Sequence, residues 1–131
     1  MFRVFRGKTM SNSVQKLLFI INSAPYGNET FFSALRLALQ IQEQHKANTE
    51  IKLFLMSDAV TAGLAKQNPA EGYHIQQMLE ILTAQGANVK LCKTCTNARG
   101  ITDLPLADGV EIGTLIELAD WTIQADKVLN F

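Results

Sequence analysis

The chain has 131 residues, 47% of them hydrophobic, and twelve basic side chains balance twelve acidic ones. That length suits one compact domain with a modest core, and a zero net charge provides no field to gather nucleic acid or an anionic membrane, which sets a nucleic-acid role aside. No apolar run approaches the roughly 20 residues of a membrane helix, and the start lacks the apolar stretch and small-residue cleavage site of a signal peptide, so a cytoplasmic location is expected.

Residues 1–13 alternate apolar and basic side chains and then turn polar. They read as a disordered leader, with a single domain over 14–131. Leu17 to Ile21 is a continuous apolar run, the pattern of a strand buried on both faces of a parallel sheet. The turn-forming stretch Asn22 to Thr30 follows, and Phe31 to His45 carries helical periodicity through Leu35, Ala38, Leu39 and Gln42. Phe32, Leu37 and Ile41 widen that helix's apolar face beyond one stripe, which points to subunit contact.

Glu50 to Met56 repeats the strand signal and delivers Asp58 to the carboxyl edge of the sheet, where open α/β folds keep their sites. Residues 59–73 contain Gly63, Pro69 and Gly72 and read as an irregular excursion with one helical turn at its start. Ile75, Met78, Leu79 and Leu82 then predict a helix that Gly86 stops, with His74 just before it as a cap or a proton-shuttling side chain. Val89 to Leu91 is a third strand, Val110 to Ile112 a short fourth, Thr114 to Ala125 a helix and Lys127 to Phe131 a last strand. Strands alternating with helices predict a parallel sheet covered on both faces.

Both cysteines of the chain, Cys92 and Cys95, follow the third strand, in a segment read as a loop. Two close thiols in a reducing compartment point to redox, metal or catalytic chemistry rather than a structural disulfide. A cysteine reacts as its thiolate, and the cationic Lys93 and Arg99 are expected to stabilise that anion and to lower the Cys92 pKa. Cys92, held at the strand end, is the better-positioned nucleophile, with Cys95 its partner. Four readings stay open: a sulfur-handling nucleophile, a thioredoxin-type dithiol, two cysteines packed as small hydrophobes, and a zinc site, for which His45 and His74 do not supply a spaced ligand pair. No metal and no cofactor is expected.

The segments Asn22-Ser23-Ala24-Pro25-Tyr26-Gly27, 53–64, 72–80, Leu91-Cys92-Lys93-Thr94-Cys95-Thr96 and Ala125-Asp126-Lys127-Val128-Leu129 together resemble the DsrE/DsrF-like family, over residues 16–131. The resemblance implies a three-layer α/β/α sandwich on a five-stranded parallel sheet. It also implies hexamers, which are homomeric in some members and heteromeric in the sulfur-relay members. In those relay members a cysteine at the end of the third strand carries a persulfide sulfur and an Arg-Gly pair follows; Cys92 and Arg99-Gly100 match these by position. The implied function is a persulfide-carrying, sulfurtransferase-like relay with donor and acceptor proteins as partners. Its rival is a non-catalytic oligomeric binding or thiol-sensing protein. Asn22, Tyr26, Asp58 and His74, which lie in the other matching segments, are candidates for a cleft beside the cysteines.

Overall fold

The computed structural model describes residues 13–131, so all of the expected leader except Ser13 lies outside the described residues. The elements run β1 (Gln15–Ile21), α1 (Thr30–His45), β2 (Thr49–Leu55), α2 (Ile75–Ala84), β3 (Asn88–Cys92), α3 (Lys93–Ala98), β4 (Val110–Gly113), α4 (Leu115–Gln124) and β5 (Lys127–Asn130). Short 3-10 segments precede β2 and follow it, the second at Ser57–Gly63. Among the described residues no helix is long and apolar enough to cross a membrane.

The five strands form one parallel sheet in the order β4-β3-β2-β1-β5. Interior β1, between β2 and the edge strand β5, buries Leu17, Leu18, Phe19 and Ile21, as a strand covered on both faces must, and β2 rather than β1 is the central strand. On one face Leu17 shares a cleft with Ile41 of α1, and Ile51 shares one with Gln42 of α1 and Ala87 beyond α2. There Gln42 donates from Nε2 to the Leu82 carbonyl at 3.2 Å, tying α1 to α2. On the opposite face Trp121 of α4 meets Phe54 edge-to-face at 6.0 Å between ring centroids, with the Lys52 and Lys90 ammonium groups over its ring. Helix, sheet and helix give the three-layer α/β/α sandwich.

Local chemistry fixes the element ends. Asn28 Oδ1 accepts from Thr30 N at 2.9 Å ahead of α1, and His74 Nδ1 accepts from Gln77 N to cap α2. Gly86, at φ +104°, turns the chain out of α2. Thr114 and Glu117 form a reciprocal capping box on α4. Glu117 also pairs with Lys90, and that hydrogen bond holds its carboxyl below the usual carboxylate range.

The second apolar stripe expected on α1 is largely used within the subunit. Phe32 stacks on Tyr73 at 3.9 Å and Ile41 is half-buried, which leaves Leu37 as the exposed member. Among the described residues the most exposed large apolar side chains are instead on α4, where Leu115, Ile116 and Ile123 are 65%, 76% and 87% exposed.

Candidate functional site

The sheet is parallel, so β1, β2 and β3 all end on the same edge. Asn22, Ser57 and Asp58, and Cys92 follow or close those strands in turn. Cys92 is the residue from which α3 starts, in extended conformation, and Cys95 lies in the first turn of that helix. The segment read as a loop is therefore a six-residue helix opened by Cys-x-x-Cys. Both cysteines are free thiols, Cys92 buried at 4% exposure and Cys95 half-buried.

Burial is the largest influence on the Cys92 thiol and pushes its pKa above 9.0. The neighbouring Cys95 thiol pushes it the same way, while the backbone N–H groups of Cys95 and Thr94 pull it down without reversing the shift. Lys93 and Arg99, expected to acidify the thiol, are not among these influences. Lys93 is exposed on the first turn of α3, and Arg99 is engaged elsewhere.

Arg99 donates from Nη2 and Nε to Asp58 Oδ1, at 2.8 and 3.2 Å, and from Nη1 to the carbonyl oxygen of Cys95 at 3.1 Å. The backbone N–H of Ser57 donates to Cys95 Sγ at 3.2 Å, and Ser57 Oγ donates to Asn22 Oδ1 at 3.0 Å. Ser57 has φ +54°, a left-handed conformation uncommon outside glycine. It is one of the positions where the chain holds strain beside a site.

Asn22, Asp58, Cys92, Cys95 and Arg99 thus come together. Tyr26 and His74 do not join their hydrogen-bond network. Tyr26 stacks on Tyr73 at 6.4 Å and donates from its hydroxyl to Gln67, and His74 serves as the α2 cap. Ser57 is the member that side-chain chemistry does not flag, because it reaches Cys95 through its main chain. A cleft of about 490 Å³ is bordered by Tyr26, Gln67 and 68–71, and another of about 470 Å³ opens at the far edge of the sheet beside Gln15, His45 and Lys127. Neither includes a cysteine.

The model of the DsrE/DsrF-like family matches residues 15–131. Protein YchN of Escherichia coli is 65% identical over 118 residues, which is 90% of this chain and all of that protein. Its crystal structure superimposes with a TM-score of 0.87 over the same 90% of this chain. The structure of MTH1491 from Methanobacterium thermoautotrophicum shares the fold, with a TM-score of 0.68 at 15% identity over 89% of this chain and 99% of that one. A more distant relative, the sulfurtransferase TusD homolog of Vibrio vulnificus, is 28% identical over 91% of this chain and 99% of its own length. With the family pattern spanning the whole sheet and the cysteine helix, and a relative so similar over its full length, the chain belongs to the DsrE/DsrF-like family.

Proposed function

We propose that this protein carries sulfane sulfur as a persulfide on Cys92. The observation that carries this reading is the pairing of a buried thiol at the end of β3 with a second, more accessible thiol one helical turn on, at the sheet edge. The distant kinship with a sulfurtransferase TusD homolog supports it. In the loading step the Cys92 thiolate attacks the outer sulfur of a donor persulfide. The donor's S–S bond breaks, its electron pair leaves with the donor thiolate, and Cys92–S–SH forms. In the transfer step an acceptor thiolate takes that outer sulfur and Cys92 departs as thiolate. Burial keeps the Cys92 thiol largely neutral near pH 7, so loading draws on a small thiolate fraction whose high pKa makes it intrinsically nucleophilic.

Transfer between protein thiols needs no enclosed small-molecule pocket, in keeping with the placement of the two clefts away from the cysteines. The partners in this reading are donor and acceptor proteins in a reducing cytoplasm, and neither metal nor cofactor takes part. The assembly is a homohexamer, a reading supported by the exposed apolar residues of α4. A second reading, an oligomeric binding or thiol-sensing protein, is favoured by one observation: Cys92 is buried and no side-chain base hydrogen-bonds to it among the described residues. Intact mass after exposure to a cysteine-desulfurase persulfide separates the two. The carrier gains the mass of one sulfur on the Cys92 peptide, and Cys92→Ser gains none at that peptide; a wild-type protein that takes up no sulfur leaves the second reading standing.

A further inference from the structure

The two thiols differ in reach. Cys92 is 4% exposed, so in the loaded protein an outside thiol reaches the outer sulfur more readily than the Cys92 sulfur, whereas Cys95 is half-buried and already lies beside it. Cys95 is the third residue of the helix that Cys92 opens, and the two thiols are in hydrogen-bond contact, the neighbourhood a disulfide needs. Cys95 is also held in place from two sides: Ser57 N–H donates to its sulfur at 3.2 Å, and Arg99, anchored on Asp58, donates to its carbonyl oxygen at 3.1 Å. A thiol attacks as its thiolate.

We propose that Cys95 is the releasing thiol of this site: when no acceptor arrives, its thiolate attacks the inner sulfur of the Cys92 persulfide and expels the outer sulfur as hydrosulfide. This rests on the carrier reading. The Cys95 Sγ–Cys92 Sγ bond forms and the Cys92 S–SH bond breaks. Its electron pair leaves with HS⁻, which keeps the persulfide's proton, so the sulfane sulfur is reduced and the two cysteines are oxidised to a disulfide. A reducing dithiol then restores both thiols. The direction of attack follows from the leaving groups: attack on the inner sulfur expels hydrosulfide, the conjugate base of a stronger acid than an alkyl thiol and so the better leaving group.

The test loads wild type, Cys95→Ser, Cys95→Ala and Cys92→Ser with inorganic polysulfide, removes the excess, and follows intact mass, peptide mass and free sulfide with time. In wild type the one-sulfur adduct should give way to a species two hydrogens lighter than the reduced protein, with one sulfide released per disulfide. In Cys95→Ser and Cys95→Ala the adduct should sit on the Cys92 peptide and last at least about tenfold longer, because the intramolecular thiol is gone. Equal adduct lifetimes in wild type and both Cys95 variants, without disulfide, would overturn the inference and leave the carrier standing. If wild type yields disulfide and sulfide while neither Cys95 variant takes up sulfur, Cys95 is the entry thiol, and both the inference and the Cys92 carrier fall. The disulfide-to-sulfide ratio in wild type needs no variant, so a substitution that fails to fold does not remove the test.

Discussion

Arg99 and Asp58, 41 residues apart, close the gap between the ends of β3 and β2 with two hydrogen bonds to one carboxylate oxygen, at 2.8 and 3.2 Å. The same guanidinium reaches the Cys95 carbonyl, so the pair clamps the small helix that carries the thiols against the Ser57 turn. The Asp58 side chain is 70% exposed, and an exposed pair contributes at most about 1 kcal/mol to stability. Arg99→Ala should therefore leave the global denaturation midpoint nearly unchanged. It should instead raise amide exchange in α3 roughly fivefold through easier local opening. Arg99→Lys should recover only part of the protection, since an ammonium cannot reproduce the fork that spans Asp58 and the carbonyl. Unchanged exchange in Arg99→Ala would show that the clamp does not hold the helix.

The Cys92 thiol gives a second prediction, in pH. Its proton is held more tightly in the folded chain than its ordinary value of 9.0, first through burial and then through the Cys95 thiol. Below that pH the thiol is neutral in both the folded and the unfolded chain, and its contribution to stability is fully present. Above it the unfolded chain loses the proton first, so stability falls as pH rises toward the folded pKa. Denaturant midpoints should decline above pH 9.0 in wild type and decline less in Cys92→Ala. Alkylation of Cys92 in a Cys95→Ser background should still show a midpoint above 9.0, because burial remains after the second thiol is removed. A midpoint at or below that value would restore the acidification first expected from Lys93 and Arg99.

What the sequence reveals, and what it hides, divides along physical lines. Runs such as Leu17 to Ile21 reveal buried strands because both faces must be apolar, and Gly86 marks a helix end because φ +104° suits glycine. The parallel order then brings Asn22, Asp58 and Cys92 to one edge. Helix α3 is hidden because six residues of mixed polarity, Lys93 to Ala98, are too few to display a period of 3.6. The proton affinity of Cys92 is hidden as well, since it depends on tertiary burial rather than on which charges are near in sequence. Ser57 could be found only in three dimensions: its contribution is a main-chain N–H aimed by a left-handed φ, which no side-chain pattern signals.

Gly63 links the packing of the core to the site. A Cβ at this position would lie 2.7 Å from both terminal methyl carbons of Leu91, which is fully buried and cannot swing aside into solvent. Gly63→Ala should destabilise by about 1–3 kcal/mol, the usual cost of overpacking a filled core. Leu91 immediately precedes Cys92 on β3, so the displaced strand end should also open the buried thiol. Thermal denaturation should register the loss, and Cys92 should alkylate faster than in wild type at equal pH. Stability within experimental error of wild type would mean that the 3-10 segment shifts away from β3 without cost.

The assembly proposal rests on α4, whose two sides have opposite surroundings. Leu118 is buried and Trp121 packs on Phe54, while Leu115, Ile116 and Ile123 point away at 65% to 87% exposure. Leu115, Ala119 and Ile123 recur at spacings of four with Ile116 beside them, so the exposed apolar side chains form a continuous stripe. Full burial of an isoleucine side chain is worth about 1.5–3 kcal/mol. Two of them per chain, repeated at each symmetric contact, offset part of the entropic cost of association. Under the assembly proposal, light scattering of wild type should give the mass of a homohexamer. Ile116→Asp combined with Ile123→Asp should give a smaller species with the helical circular dichroism retained, because neither side chain is buried within its own subunit. A wild-type monomer at micromolar concentration would end the assembly proposal. A double variant that keeps the wild-type oligomeric mass would move the interface off α4, with Leu37 of α1 as the next residue to replace.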